Sequence, residues 1–450
     1  MAKIFPFKGI MYNKKVIDKM TKVMAPPYDV ISPEDQEKFY STHPYNVIRL
    51  ILGKEFPGDN ESNNKYVRSE KFFESWLKHG LLEEDVEPCL YVYEQIYKNE
   101  GKILKRLGFL SLLRLEDFDR GKVLPHEETF PKHKMDRLEL KRICSANFDS
   151  IFAIFSDEKL YVEKILKKYS RRKPHISVKD GNQVTHNLWR IDHKGDIKRI
   201  IKFMSDRTVF IADGHHRYEA SLKYRDEMKD KYQKFTGEEL YNHVIMYLTH
   251  IEGKGLSVFP IHRVIRNIPD LDVAILEEAI KEYFEVEDIT FTKRGEPAAR
   301  KKLLKLMKKA KEEEHAIGML LEGLNKYCLL KLKEEKIVDK FAKDDKPKEW
   351  RRLDVTVLHA IIISHILGIR DQSSTNGQIL YIKDDESAAK KVLDGECQLA
   401  FFLNPTKVSQ IIKIANEKEK MPQKSTYFYP KLLSGLLMNK IYLDEKAEEL

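Results

Sequence analysis

The chain has 450 residues, enough for about three domains, and its content of 42% apolar and 10% aromatic residues is sufficient for folded cores. A disordered protein is therefore excluded. The 80 Lys and Arg residues against 71 Asp and Glu residues give a formal charge of only +9, so nucleic acid is not the expected partner.

The first predicted segment, residues 1–87, contains the turn-rich stretch MAPPYDVISPED. Ser32 followed by Pro33 indicates a helix start, because proline suits the first helical position. Just before it, two consecutive prolines fix an extended backbone that presents Tyr28 and Asp29. Such a stiff loop either faces a binding site or connects elements over a sheet edge, and the sequence leaves both alternatives open.

The second predicted segment, residues 88–252, alternates between strands and helices. Apolar and β-branched runs of strand length are separated by turns and by stretches with helical periodicity. Strands are predicted over 90–97, 105–113, 151–155, 184–190, 208–211 and 244–249, and helices over 136–144, 161–169 and 197–204. This alternation indicates a mixed α/β core.

A loop within this segment, PHEETFPKHK at 125–134, is a candidate site. His126 beside the carboxylates of Glu127 and Glu128 can supply a general base. Lys132 and the two residues after it can supply positive charge for a phosphate. The alternative is a polar surface loop without a chemical role.

The ten residues ADGHHRYEAS, at 212–221, are the most informative feature of the chain. They follow an apolar run at 208–211 and predict a strand that stops at Asp213-Gly214 and leads into a helix. A helix start offers backbone N–H groups without intrahelical partners and the positive end of the helix dipole. Gly214 lets a ligand approach the backbone closely, so the pattern predicts an anion site that suits a phosphate.

Two imidazoles and a guanidinium, from His215, His216 and Arg217, crowd at this helix start, where the dipole already disfavours positive charge. That crowding makes sense if a phosphate binds there, since Arg217 can grip two oxygens at once. In the alternative interpretation Asp213 caps the helix, Gly214 serves only the turn and the histidines are solvated. A zinc site ranks below phosphate, because no HxxxH, HExxH or CxxC pattern lies nearby.

The third predicted segment, residues 253–450, reads as a separate α/β region. Its predicted helices lie at 271–283, 354–367 and 387–393, and its predicted strands at 284–292, 327–332 and 397–403. Near its end, the loop MPQKSTYFYPK combines Lys424, Ser425 and Thr426 with three aromatic residues between prolines. This loop either closes over a ligand or anchors the C-terminus through its aromatic rings.

Cysteine usage and hydropathy predict a soluble, cytoplasmic protein. The four cysteines show no CxxC spacing, which favours buried thiols in a reducing compartment. The first residues lack an apolar signal core, and the most apolar helix candidate, 355–369, contains polar residues and is too short to span a bilayer. No membrane partner is therefore expected, and the oligomeric state stays open.

Several motifs together resemble a widespread uncharacterised prokaryotic family. They are MAPPYDVISPED, LYVYEQIY, PHEETFPKHKMDRLELKRICSANFDSIFAIFSD, FIADGHHRYEASLKYRDE and MPQKSTYFYPKLLSGL, and they extend over almost the whole chain. The central motif also resembles the ParB/sulfiredoxin-like superfamily, whose members bind nucleotide phosphates with a strand, a glycine-containing turn and a helix. The resemblance implies a ParB/sulfiredoxin-like core with additional N-terminal and C-terminal α/β segments.

Within that superfamily the chain is similar to the ADP-dependent free serine kinases, which carry an Asp-Gly-His-His-Arg motif matched here by residues 213–217. Their catalytic glutamate lies early in the fold, and the position of the PHEET loop makes Glu127 or Glu128 its counterpart. No cysteine stands where the sulfiredoxin nucleophile lies, so sulfinic acid reduction is not implied. No helix-turn-helix region of the chromosome-partitioning kind follows the core.

From these features we expect a nucleotide-dependent phosphotransferase that acts on a small hydroxylated metabolite such as serine. Residues 214–217 would bind ADP or ATP, and Asp213 would be one of the ligands of a magnesium ion that offsets the phosphate charge. Glu127 or Glu128 would orient the acceptor hydroxyl. The alternative is a non-catalytic nucleotide-binding regulatory module. A nuclease or nucleotidase is a weaker third option.

Overall fold

The computed structural model describes residues 2–129, 131–232, 235–311, 315–342, 345–369 and 377–448. The chain divides into two compact units. The first comprises residues 1–125, 129–257 and 430–450, and the second comprises 126–128 and 258–429. The three segments predicted from the sequence stay a prediction.

The first unit is built on a nine-stranded sheet with helices packed against it. The strands of the unit are β1 (Ile4–Phe5), β2 (Ile10–Tyr12), β3 (Leu82–Glu84), β4 (Leu90–Asn99), β5 (Lys102–Arg114), β6 (Val123–Leu124), β7 (Ala146–Asn147), β8 (Ile151–Phe155), β9 (Ile176–Lys179), β10 (Thr185–Ile191), β11 (Val209–Asp213) and β12 (His243–His250). Of these, β2, β3 and β7 lie outside the nine-stranded sheet. Its helices are α1 (Pro33–Thr42), α2 (Ile48–Ile51), α3 (Lys65–Lys78), α4 (Pro131–Cys144), α5 (Tyr161–Ser170), α6 (Lys194–Met204) and α7 (His215–Lys231).

The large sheet is mixed. Its strand order is β6-β11-β8-β12-β5-β4-β10-β9, with β1 paired to β5. The pairs β11–β6 and β12–β8 are parallel, and the other pairs are antiparallel. Every residue of β8 and β12 is buried, because these strands occupy the middle of the sheet. The mixed α/β class predicted from the sequence is thus confirmed.

Two clusters of apolar residues hold the helices of the first unit in place. The core of the first unit joins the sheet to the apolar faces of α5 and α6, as in the burial of Leu166 and Ile200. A second cluster packs α4 against α7 through Leu138, Ala220 and Tyr224. The start of α7 is therefore held between a buried strand and a neighbouring helix.

The second unit contains a six-stranded antiparallel sheet in the order β15-β17-β16-β19-β14-β18. The strands of that sheet are β14 (His262–Ile265), β15 (Phe284–Thr290), β16 (Ala316–Leu321), β17 (Lys326–Leu332), β18 (Ile379–Ile382) and β19 (Leu399–Phe402). A separate two-stranded sheet joins β13 (Ser257–Phe259), which begins at the last residue of the first unit, to β20 (Tyr427–Tyr429). Its helices are α8 (Val273–Tyr283), α9 (Glu296–Ala310), α10 (Lys348–Arg351), α11 (Asp354–Val357), α12 (Asp385–Leu393) and α13 (Val408–Asn416). The last strand of the chain, β21 (Asn439–Lys440), belongs to the first unit and pairs there with β7.

Two predicted elements differ from the structure. The helix expected over 354–367 is α only in α11 and continues as a π-helix over Leu358–Ile366, where hydrogen bonds such as Leu367 N to Ile362 O, 2.9 Å, span five residues. The segment from Lys132 to Lys134, expected in a loop, forms the first turn of α4. Pro131 opens that helix, because its fixed φ angle is already helical.

The four cysteines are free and buried, as predicted. Over the described part of the chain, no helix combines the length and the apolar character needed to cross a membrane.

Candidate functional site

The corner between β11 and α7 has the strand–turn–helix form predicted from the sequence. β11 ends at Asp213, and Gly214 occupies the N-cap position with a φ of 91° and no side-chain cap. A Cβ atom on Gly214 would lie 2.9 Å from Nε and Nη2 of Arg217. Glycine is therefore required both by the left-handed backbone and by the close approach of the guanidinium. Asp213 does not cap the helix.

Asp213 is held between two cations. Its Oδ2 accepts a hydrogen bond from Arg217 Nη2 at 2.7 Å, and its Oδ1 accepts one from Lys431 Nζ. Burial by itself would raise the pKa of Asp213, but the charges of Lys431 and Arg217 outweigh it and hold that pKa well below its usual range. Asp213 is thus a carboxylate whose charge the protein itself neutralises.

Arg217 is buried, with 9% of its surface exposed. Besides the bond to Asp213, its Nη1 donates to the carbonyl oxygen of Ser150 at 2.6 Å. Its Nε is buried without a hydrogen-bond partner among the described residues. A guanidinium has five N–H hydrogens, and only some of those of Arg217 form hydrogen bonds inside the protein. The others are the donors that the sequence predicts for phosphate binding.

The half-buried Asp149 adds a second carboxyl group to this corner. Its Oδ1 is buried and finds no hydrogen-bond partner in the described part of the chain. Burial raises the pKa of Asp149, and the positive charge of Arg217 opposes that rise. A carboxyl group in such surroundings has a weaker preference for the ionised form than one in water.

The proline-rich loop near the N-terminus reaches the same corner. Tyr28 is buried, and the guanidinium carbon of Arg137 lies 3.9 Å from the centre of its ring. Burial raises the pKa of Tyr28, although Arg137 and Arg217 both oppose the rise. The neighbouring Asp29 interacts electrostatically with Arg217. The loop therefore lies beside the start of α7, and the choice between its two alternatives stays a prediction.

The two histidines of the motif differ in their surroundings. His215 is buried, with 7% of its surface exposed, and it interacts electrostatically with Asp213. His216 is half-buried, and its ring contacts that of His133 with a centroid separation of 5.4 Å. Lys132, in the same turn of α4 as His133, is exposed. The first turn of α4 therefore lies beside the first turn of α7.

A cavity of about 40 Å³ lies next to this corner, between α4 and α7, and is lined in part by Arg137, Lys141, Asp149 and Arg217. Lys141 is buried and donates to Asn147 Oδ1 at 2.6 Å. Burial lowers the pKa of Lys141 to about 7. The corner thus borders an amine that titrates near neutral pH.

The predicted PHEET loop belongs to the second unit at residues 126–128. Within that unit it pairs with the C-terminal loop that contains Lys424, since Met421 N donates to His126 O at 2.8 Å. The Glu127 carboxylate accepts the backbone N–H of Lys424 at 2.8 Å, whereas Glu128 is exposed. The structure therefore brings together two loops that the sequence singled out separately.

The hydroxyl groups of the C-terminal loop are already engaged within the second unit. Ser425 Oγ donates to the carbonyl oxygen of Pro422, and Thr426 Oγ1 is 2.8 Å from Nε2 of the fully buried His126. These bonds support the interpretation of an anchoring segment. A closing role for Lys424, Ser425 and Thr426 stays a prediction, as does the choice between Glu127 and Glu128.

The donors around Asp213 do not fit a resident metal ion. Among the described residues, no group of three or more His, Cys, Asp or Glu side chains could hold a metal. Repulsion between Asp213 and phosphate predicts a magnesium ion, but Lys431 and Arg217 already offset the charge of Asp213. Magnesium stays a prediction without support from the site itself.

Sequence reasoning missed three participants in this corner: Lys431, Asp149 and Arg137. Lys431 is 218 residues away from Asp213 in the chain, so no local pattern could pair them. The only available signal was the presence of a lysine in a conspicuous loop. Asp149 and Arg137 lie within the sequence motif that begins at PHEET, but their spacing there gives no indication of their contacts.

None of the curated proteins matches the chain in sequence. Among solved structures, a free serine kinase mutant in complex with ADP is 13% identical, with a TM-score of 0.36 over 73% of this chain and 91% of that chain. The free serine kinase in complex with AMP is 14% identical, with a TM-score of 0.34 over 73% and 91%. A conserved hypothetical protein from Pyrococcus furiosus is 12% identical, with a TM-score of 0.32 over 70% and 88%.

Similarity at these identities and TM-scores carries no argument about function. The family model described as "Protein of unknown function (DUF1015)" matches residues 4–356, which is most of the chain, and the chain therefore belongs to that family.

Proposed function

We propose that the corner between β11 and α7 binds the phosphate groups of a nucleotide, ADP or ATP. The observation that carries the proposal is the start of α7, which has no side-chain cap and lies beside two cations, Arg217 and Lys431. These two cations exceed the charge of Asp213 by one, whereas Asp149 and Asp29 also act electrostatically on Arg217. Uncapped amides at the positive end of the helix dipole, beside a guanidinium and an ammonium group, are a favourable environment for phosphate oxygens.

The reaction we propose is transfer of a phosphoryl group to a small hydroxylated metabolite, with serine as the first candidate. The acceptor oxygen forms a bond to the terminal phosphorus, and the bond from that phosphorus to the bridging oxygen breaks. The nucleotide leaves with one phosphate fewer, and the hydroxyl proton passes to a carboxylate. Such a step needs positioning and charge neutralisation, which Gly214, Arg217 and Lys431 are suited to supply.

Three carboxylates are candidates for the proton acceptor. Glu127 and Glu128 follow from the sequence resemblance. Asp149 is favoured by its surroundings in the first unit, because its Oδ1 is buried without a partner and interacts electrostatically with Arg217. A base works best when its pKa lies close to the operating pH, and burial shifts the pKa of Asp149 in that direction.

The test begins with binding and continues to turnover. Thermal unfolding of the full chain with AMP, ADP and ATP, each with and without magnesium, should show a rise in melting temperature for the nucleotides that bind. Phosphorus NMR of mixtures with serine, threonine and homoserine then shows whether a phosphate ester forms. No stabilisation by any nucleotide would contradict the proposal.

The regulatory alternative gives a different result in the same experiments. Tight nucleotide binding without any phosphate ester, together with a change in oligomeric state, would replace the phosphotransferase with a nucleotide-binding regulatory module. Comparing the measurements with and without magnesium shows whether the metal is required for nucleotide binding or only for phosphoryl transfer.

A further inference from the structure

The second unit contains a cavity of about 430 Å³, within the size range of small-molecule sites. Its lining is rich in cations. Five of the lining residues are Lys or Arg, namely Arg263, Lys311, Lys333, Arg352 and Lys407. Two acidic residues, Glu335 and Asp354, line it as well. Positive charge therefore exceeds negative charge in this cavity.

Arg263 is the central observation, because only 1% of its surface is exposed. Its guanidinium donates to His359 Nε2 and to three carbonyl oxygens, those of Ile261, Gln423 and Lys424. These four acceptors are neutral, and a guanidinium has five N–H hydrogens. No ion pair joins Arg263 to a carboxylate among the described residues. Burial lowers the pKa of Arg263 to about 10.

The electrostatic surroundings of Arg263 are only weakly compensating. Tyr381 and Glu127 favour its charged form, but the Tyr381 ring is a neutral contact at 5.3 Å and Glu127 is not within ion-pair distance. A charge buried in this way costs free energy unless a counter-charge accompanies it. An anion in the cavity would provide that counter-charge.

Two of the other lining cations, Arg352 and Lys333, differ in their partners. Arg352 is matched by Asp339, with contacts of 2.9 and 2.7 Å, and by Glu335 at 3.2 Å, and Asp354 Oδ1 lies 2.8 Å from His315 Nδ1. Lys333, by contrast, donates to the backbone carbonyls of Lys281 and Glu282 and forms no ion pair within the described residues. Lys333 and Arg263 therefore contribute net positive charge that the lining itself does not neutralise.

The start of α13 adds to this environment. Lys407 is its N-cap residue, and both Lys407 and Gln410 line the cavity. Gln410 Oε1 accepts the Lys407 backbone N–H at 2.9 Å, which fixes this turn. Thr406 Oγ1 donates to the Ser425 carbonyl oxygen at 3.0 Å and ties the helix start to the C-terminal loop. The positive end of the helix dipole is thus held at the cavity wall.

We propose that this cavity is a second anion site, which binds a small phosphorylated metabolite carrying at least two negative charges. A guanidinium N–H, lysine ammonium groups and a helix start are groups that proteins use to bind phosphate. The proposal does not depend on the function proposed for the first unit, because the residues that carry it belong to the second unit alone.

Pyrophosphate is the probe that tests this site, and calorimetry with the full chain is the measurement. The titration is made in the Arg217→Ala background, which disables the corner of the first unit, so that failure of one proposal is distinguishable from failure of the other. We expect pyrophosphate to bind in this background and citrate at equal ionic strength to bind at least about tenfold more weakly.

Two further substitutions assign the binding to the cavity. Lys333→Gln changes an exposed side chain and should keep the fold, whereas Arg263→Gln removes the buried cation. Each should weaken pyrophosphate binding about tenfold or more, and Lys301→Gln, an exposed lysine on α9, should not. Unchanged affinity in Lys333→Gln, or loss of all pyrophosphate binding in Arg217→Ala alone, would overturn the proposal. Citrate binding as tight as pyrophosphate would overturn the assignment to phosphate.

Discussion

Lys431 Nζ donates a hydrogen bond to the Asp213 carboxylate, although 218 residues separate the two in the chain. Both side chains are almost fully buried, with 12% and 11% exposed. The contact places Lys431, which is close to the C-terminus in sequence, at the start of α7. Without its cations Asp213 would repel phosphate, whereas here it orients Lys431 and Arg217.

We expect Lys431→Met to weaken ADP binding by about tenfold, because Asp213 then keeps only Arg217 as a counter-charge and repels the phosphates. Lys431→Arg should restore most of the affinity. Calorimetric titration with ADP measures both. Lys440→Met, which removes an ion pair with Glu74 elsewhere on the same segment, is the matched control and should bind normally. Equal affinity in wild type and Lys431→Met would contradict the assignment.

Arg217→Ala should weaken nucleotide binding by about 2 kcal/mol, because a charge-assisted donor is lost from a partly desolvated site. Arg225→Ala is the control on the same helix, since Arg225 is equally buried but pairs with Asp117 and Asp226. Nucleotide affinity is measured only after thermal unfolding shows that both variants are folded. A similar loss of affinity in the two variants would point to a general effect of stability.

Gly214→Ala should lower the free energy of unfolding by about 1–3 kcal/mol, because an alanine at a φ of 91° is strained. Its Cβ would also push against Arg217 at 2.9 Å and should reduce nucleotide binding. Urea unfolding gives the first quantity and calorimetry the second. Gly181→Ala, where a Cβ meets no atom within 4 Å, is expected to change neither.

Substitution of the three candidate bases should separate them. The isosteric changes Glu127→Gln, Glu128→Gln and Asp149→Asn remove a proton acceptor with little change in shape. The true base should lose roughly a hundredfold or more in turnover while nucleotide affinity stays nearly constant. Initial rates of phosphate ester formation decide among them. If all three variants retain wild-type turnover, the proton acceptor lies elsewhere.

Lys141 should make stability depend on pH. Burial lowers its pKa to about 7 in the folded chain, from an ordinary value of 10.5 in the unfolded chain. Between these values the unfolded state binds more protons, so the contribution of Lys141 to the free energy of unfolding rises with pH.

In Lys141→Met this rise should disappear, a difference of about 1.4 kcal/mol per pH unit between the two slopes. Urea unfolding between about pH 7.5 and about pH 9 measures it. Lys132→Met changes an exposed lysine on the same helix and should keep the wild-type slope. A wild-type slope in Lys141→Met would show that this amine does not titrate in the window.

The sequence by itself determined the local architecture of the corner. The strand over Val209–Asp213, the turn at Gly214 and the helix from His215 follow from an apolar run, a glycine and helical periodicity within about 20 residues. The strand at Ile151–Phe155 has the predicted bounds for the same reason. These features depend on backbone preferences and on which face is apolar, and both are encoded by neighbouring residues.

Tertiary structure alone decided which charges meet. The contact of Lys431 with Asp213, the orphaned Oδ1 of Asp149 and the burial of Arg263 have no local signature. They arise because sheet pairing and core packing bring distant segments together, and because burial removes the water that would otherwise screen each charge. A charged residue in a sequence is equally compatible with solvent and with a site, and only its neighbours in space distinguish the two.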